Sequence, residues 1–330
     1  MSMNKEEQFY SLTCRCYDDL CFYDRMDMTS RKNFVDTQVA GIKDKNLIIP
    51  YLPLYITSKC SLNCEKCNNL IPDLKCKGVD FSWDKTKASL ERILDCIDEM
   101  IFCELVGGEP FLAPEFEQIL DFVASQSKIR RIVVVTNATV IPPQSVIRKL
   151  ADYKALVRVS DYGLFEKMSS FIVAMDNEGV NVRVQQNMKW NDPGGIEKRG
   201  KKSDELKRQY NRCEFSMKCK YLCEDRLFTC ARAASLYHMG LIDGGLDALI
   251  IDESISSAAI RNFYLRDCGD ACDYCDLWSD TAGMEIPAAI QIGGKKLRHS
   301  SYTVISNYEL DHFKKSTKKY EKLLKEKQDI

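Results

Sequence analysis

The chain has 330 residues, 45% of them hydrophobic and 29% charged, with 47 basic against 48 acidic side chains. That length allows one large α/β domain or a domain with a smaller module, and a net charge of −1 excludes a dedicated nucleic-acid binder, which shows a basic excess. No run of about 18 apolar residues offers a membrane span, and MSMNKEEQFYSL at the start lacks the apolar core of a signal peptide. The chain therefore reads as cytoplasmic, with no membrane role. Sixteen cysteines stand against three histidines, His238, His299 and His312, which lie far apart. In a reducing compartment so much cysteine points to metal or redox chemistry and not to disulfides.

Residues 1–47 show no clear period and read as an extension packed on the main domain. A strand is expected over 52–57 and a helix over 85–99, where Leu90, Ile93, Leu94 and Ile97 share one face. A buried-type strand over 102–106 ends in Gly107-Gly108-Glu109-Pro110. Next come a helix over 115–124, a strand over 131–136 and a helix over 143–150 that starts at a proline. A strand over 155–160, a helix over 164–178 and a strand over 180–185 complete the run. Strands alternating with helices mean a parallel sheet, and five such units are too few for an eight-fold barrel.

The texture breaks at Asn191-Asp192-Pro193-Gly194-Gly195, a turn-rich stretch followed by strongly charged residues over 197–208. A second cysteine block follows, and a Lys- and Glu-rich helix over 308–328 reads as a solvated face. The expected division is an extension (1–47), the α/β domain (48–205), a cysteine module (206–290) and a strand and helix tail (291–330).

Cys60, Cys64 and Cys67 sit on a short loop directly after the first strand. Three thiolates can bind three irons of a cubane cluster and leave the fourth without a protein ligand. An open iron is what a cluster needs to bind a small molecule, whereas ordinary ferredoxin sites supply four cysteines. The alternative is a structural zinc loop, with Cys76 as the nearby fourth ligand.

This arrangement over residues 50–190 resembles the radical S-adenosylmethionine (radical SAM) superfamily. The triplet has that family's spacing, and Gly107-Gly108-Glu109-Pro110 ends the second strand as the family's methionine-binding segment does. The resemblance implies a partial (β/α)6 barrel with its ligands at the C-terminal strand ends. It implies S-adenosylmethionine held by Gly107, Gly108, Glu109, Asn137, Ser160, Asp161 and Gln185, and a 4Fe–4S cluster on Cys60, Cys64 and Cys67. Reductive cleavage there would yield a 5′-deoxyadenosyl radical. Lys66 departs from the pattern, since the family usually has an aromatic residue before the third cysteine; a lysine stem can cover the same surface. Asn68 and Asn69 either face substrate or cap the loop, and Trp190 either faces the site or anchors a neighbouring domain.

In the late block, residues 219–230 read as a β-hairpin turning at Glu224-Asp225, which pairs residue 223 with 226 and sets Cys219 opposite Cys230. Cys272 and Cys275 form a Cys-x-x-Cys pair some 40 residues on. The layout resembles the SPASM and twitch modules of radical SAM enzymes and implies a second 4Fe–4S cluster, with structural zinc as the alternative. Twitch spacing favours Cys213 as partner to Cys230, and hairpin geometry favours Cys219. Cys14, Cys16 and Cys21 read as free thiols.

The expected enzyme abstracts hydrogen from a small polar substrate of the sugar or aminocyclitol type, for oxidation or epimerisation, with a flavodoxin or ferredoxin as electron donor. The second reading is a peptide or protein side-chain maturase, and the third a non-catalytic iron–sulfur electron carrier. No residue is assigned a catalytic role at this stage.

Overall fold

A computed structural model describes residues 3–163, 165–186, 189–280 and 285–293. The expected tail helix over 308–328 lies outside them. In chain order the elements are α1 (Lys5–Tyr23), α2 (Met28–Gly41), β1 (Ile48–Thr57), α3 (Ile71–Cys76), α4 (Trp83–Cys96) and β2 (Glu99–Gly107). There follow α5 (Phe116–Ala124), β3 (Ile129–Thr136), α6 (Gln144–Asp152), β4 (Leu156–Asp161), α7 (Phe165–Asn177), β5 (Asn181–Gln186) and β6 (Lys189–Asn191). The late block holds α8 (Ser203–Arg212), α9 (Phe215–Lys218), β7 (Tyr221–Cys223), β8 (Arg226–Phe228), α10 (Ala231–His238), β9 (Ala248–Ile250), α11 (Ser257–Tyr264) and β10 (Glu285–Pro287).

One sheet runs in the order β5-β4-β3-β2-β1-β7-β8-β9. β1 to β5 are mutually parallel, and β7 joins β1 in parallel at Leu54↔Leu222, so six parallel strands lie side by side. The sixth parallel strand thus comes from the cysteine block and lies on the β1 edge, not beside β5 where the sixth unit of the expected partial barrel would place it. β8 and β9 continue the sheet antiparallel. The block is therefore an extension of the main sheet and not a detached body.

α4 follows from its sequence: Ser82 caps its first turn by accepting from the Lys85 amide, and Leu90, Ile93 and Leu94 are buried against the outer face of the sheet. Each such side chain contributes about 1.5–3 kcal/mol by leaving water. The unperiodic first 47 residues fold as two helices. α1 is buried along much of its surface, with Leu12, Tyr17 and Leu20 packed on Tyr51, Phe102, Val133 and Leu156, and α2 covers it on another side. A helix covered on several sides has no polar stripe to show in its sequence. Its position closes the N-terminal end of the strands. Tyr17 Oη donates to Glu99 Oε1 at 3.0 Å at the start of β2.

No helix among the described residues is long and apolar enough to cross a membrane.

Candidate metal and cofactor site

β1 ends at Thr57, where the cysteine loop begins, and β2 ends beside it at Gly107. The Gly108 amide donates to Thr57 O at 2.9 Å and the Glu109 amide to Lys59 O at 2.8 Å, so the two strand ends are laced backbone to backbone. A Cβ on Gly107 would stand 2.2 Å from Thr57 O, and one on Gly108 would stand 2.2 Å from Lys59 O. Only glycine permits that approach. The glycine pair therefore sets the position of the loop as well as its own.

Above the strand ends lies a cavity of about 450 Å³. Cys60, Cys64 and Cys67 form one wall; Gly107, Gly108, Asn137 and Ser160 line the neighbouring strand ends. Burial pushes the Cys60 thiol up to about 11 and Cys64 to about 12, and raises Cys67 as well. Thiols so placed give up their protons when a metal centre supplies positive charge. Asn137 Nδ2 lies 3.6 Å from Cys60 Sγ, and the Leu62 amide donates to the same sulfur at 3.4 Å.

Other residues expected in the site stand elsewhere. Glu109 is fully buried, and its carboxylate accepts from Thr136 Oγ1 at 2.8 Å and from the Asn137 amide at 2.9 Å. It locks the turn to β3 and does not line the cavity; burial pushes its carboxyl up to about 7. Asp161 is buried with its carboxylate on the Gly163 amide at 2.8 Å, and Gln185 is exposed on β5. Asn68 and Asn69 both line the cavity. Asn69 is also a lock: its side-chain amide donates to Gly107 O at 3.1 Å, and its main-chain carbonyl accepts from the Ser235 and Tyr55 hydroxyls. Trp190 faces the cavity. Lys66 pairs with Asp192 at 3.3 Å, tying the loop to the segment after β6. Cys76 is exposed and lies outside the cavity lining, which removes it as a fourth ligand of a zinc loop.

Sequence reasoning missed the floor. Glu104 on β2 and Arg158 on β4 point into the cavity. Arg158 and the Tyr51 hydroxyl both donate to Glu104 Oε1, and Arg158 Nη1 donates to Tyr51 Oη at 3.0 Å. Alternation along β2 and β4 was the available signal, since 102, 104 and 106, like 156, 158 and 160, share a face.

The hairpin forms as expected, with Cys223 paired to Arg226, but regular pairing stops at Tyr221↔Phe228. Cys219 therefore never comes into register opposite Cys230. Instead Cys213, at the end of α8, joins Cys230, Cys272 and Cys275 around a second cavity, with Asn68, Phe215 and Leu277 shared between the two cavities. Cys268 is not among its lining residues. Burial and mutual repulsion push Cys213 up to about 12, and burial pushes Cys230 to about 11. Arg232 also lines this cavity, is 1% exposed, and keeps Nη1 buried with no hydrogen-bond partner. A buried cation with an unused donor beside four thiols fits a site made for an anionic metal centre.

Among the described residues no three thiol, imidazole or carboxylate groups converge as a single metal ion requires. Four thiolates on one zinc, at about 2.3 Å each, would crowd to within about 4 Å of one another. A cubane asks for less convergence, because each thiolate takes its own iron corner. Both thiol sets are compatible with that chemistry. Cys14, Cys16 and Cys21 are buried and form no disulfide.

A parallel sheet that carries this triplet at one strand end, locked to Gly-Gly-Glu-Pro at the next, is the arrangement that the resemblance to radical SAM enzymes implies. The chain shares these features with that class, and its late cysteine block resembles a SPASM-type module; enzymes of the class use S-adenosylmethionine and 4Fe–4S clusters. No family model matches the sequence. It is similar to AlbA of Bacillus subtilis strain 168, an antilisterial bacteriocin subtilosin biosynthesis protein, with 26% identity over 169 residues. That match takes in 46% of this chain and 36% of AlbA, so the chain spans about a third of that relative. Among solved structures, anSMEcpe with bound AdoMet aligns at a TM-score of 0.45 and 13% identity, over 83% of this chain and 96% of that one. Streptococcus suis SuiB bound to S-adenosylmethionine aligns at 0.34 and 18%, over 47% and 38%.

Proposed function

We propose that the chain is a radical SAM enzyme that modifies a side chain of a peptide or protein. The observation that carries the reading is the wall of Cys60, Cys64 and Cys67 set against Gly107, Gly108 and Asn137 in one cavity. The three cysteines would hold the catalytic cluster, and the glycine backbone, Asn137 and Ser160 would hold S-adenosylmethionine. Bound together, these groups supply a carbon radical able to take hydrogen from an unactivated C–H bond. Cys213, Cys230, Cys272 and Cys275 would hold the second cluster.

The chain's own residues position substrate and keep water away. α1 seals the strands from below. Trp190, Phe215 and Trp278 give the cavity an aromatic wall. The Glu104–Arg158 pair on the floor offers an acceptor and donors to the polar part of a substrate. Loss of a hydrogen atom to the 5′-deoxyadenosyl group, then of an electron to the second cluster and a proton to solvent, would make the reaction a two-electron oxidation, primed by a donor of the flavodoxin or ferredoxin kind.

Similarity to a bacteriocin biosynthesis protein supports a peptide substrate. The expected sugar or aminocyclitol finds no support in these similarities. The test is to incubate anaerobically reconstituted protein, S-adenosylmethionine and reductant with deuterated candidate peptides. Deuterium is expected in 5′-deoxyadenosine, with loss of two hydrogens from the peptide. Deuterium arriving only from sugar or aminocyclitol alcohols would overturn the peptide reading.

A further inference from the structure

The segment over 285–293 returns to the cysteine loop from more than 200 residues away in sequence. β10 first pairs antiparallel with β6, Ile286 opposite Trp190 and Pro287 opposite Lys189. The chain then runs alongside the triplet. The Glu65 amide donates to Ile290 O at 2.6 Å and the Ile292 amide to Asn63 O at 2.8 Å, with Gln291 bridged to Cys64 itself.

Gln291 spends its whole side-chain amide on this contact. Its Oε1 accepts from the Asn63 amide at 2.7 Å, and its Nε2 donates to Ala289 O at 2.8 Å and to Cys64 Sγ at 3.2 Å. A backbone N–H can only donate, so the Asn63 bond fixes which end of the amide is oxygen. The NH₂ group is therefore held on the sulfur by geometry, and flipping the amide would break all three bonds. By comparison, Asn137 Nδ2 stands 3.6 Å from Cys60 Sγ.

We propose that this strap is a built part of the cluster site, with Gln291 a positioning residue whose amide donates to the Cys64 thiolate and raises the reduction potential of the cluster held there. The inference rests on the functional reading above. An N–H···S bond draws charge from the sulfur and so favours the more negative, reduced cluster. The strap also covers the outer side of the loop, so cluster retention depends on it.

The test uses the full chain, reconstituted anaerobically, with an electron paramagnetic resonance titration of the cluster whose spectrum changes when S-adenosylmethionine is added. Gln291→Leu is expected to lower its midpoint potential and Gln291→Glu, which sets a carboxylate on the thiolate, to lower it further. Unchanged midpoints at wild-type iron content overturn the proposal. If either variant fails to hold iron, pulsed resonance on wild-type protein carrying ¹⁵N-amide glutamine decides. Hyperfine coupling to the reduced cluster is expected, and its absence overturns the proposal. Wild-type protein that builds no cluster on the triplet sinks the functional reading itself, which is a different result.

Discussion

Gly108 and Glu109 stand side by side and differ in how much their sequence revealed. Two consecutive glycines at a strand end announce a close approach, and the approach is found: the position has no room for a methyl group beside Lys59 O and Cys60 Cβ. Gly108→Ala is expected to cost 3 kcal/mol or more, on the order of other backbone clashes in packed cores, and to lower iron retention. Urea denaturation and an iron assay check both. Glu109 reads as a candidate cofactor contact because the Gly-Gly pair before it frees backbone for close ligand approach. Its true partners, Thr136 and the Asn137 amide, lie 27 and 28 residues away, and no local pattern shows them. Its carboxyl is pushed by burial from 4.5 up to about 7. The folded state therefore keeps a proton that the unfolded chain loses above pH 4.5. The resulting stability is fully present below that pH and fades as pH rises through about 7. The loss is on the order of 3 kcal/mol. Melting temperature measured from pH 5 to 8 is expected to fall more steeply for wild type than for Glu109→Gln. Parallel curves would contradict this.

At the scale of elements, the strands and helices of the α/β run were legible, since one buried face gives each its period. β1 begins at Ile48, four residues before the expected start, because Pro50 and Pro53 weaken the strand signal. α1 was not legible, because it is buried on several sides. Its hold on the sheet is testable at Tyr17, the partner of Glu99. Tyr17→Phe leaves a buried carboxylate short of one donor and is expected to cost about 1–2 kcal/mol. Lys66→Ala removes a partly exposed ion pair 3.3 Å long and is expected to cost under about 1 kcal/mol, less at high salt. Denaturant midpoints for the two variants should separate accordingly. Equal losses would mean that the Lys66–Asp192 tie is structural to the loop.

At the scale of the whole molecule, both cysteine groups were visible as counts and spacings. Which thiols meet depends on where the hairpin stops and on the path of α8, and neither is written in spacing. Cys213→Ala is expected to halve the iron of reconstituted protein, from about eight per chain to about four, while Cys219→Ala leaves it unchanged. The reverse would restore the hairpin reading, and about four irons with one zinc in wild type would assign zinc to the second cavity. The floor pair of Glu104 and Arg158 and the strap at Gln291 became visible only when distant strands and segments were brought together. The most direct test of the central claim is cleavage of S-adenosylmethionine by the anaerobically reconstituted, reduced chain. The expected result is 5′-deoxyadenosine from wild type and none from Cys64→Ala, whereas a wild-type chain loaded with iron that forms none would contradict the account.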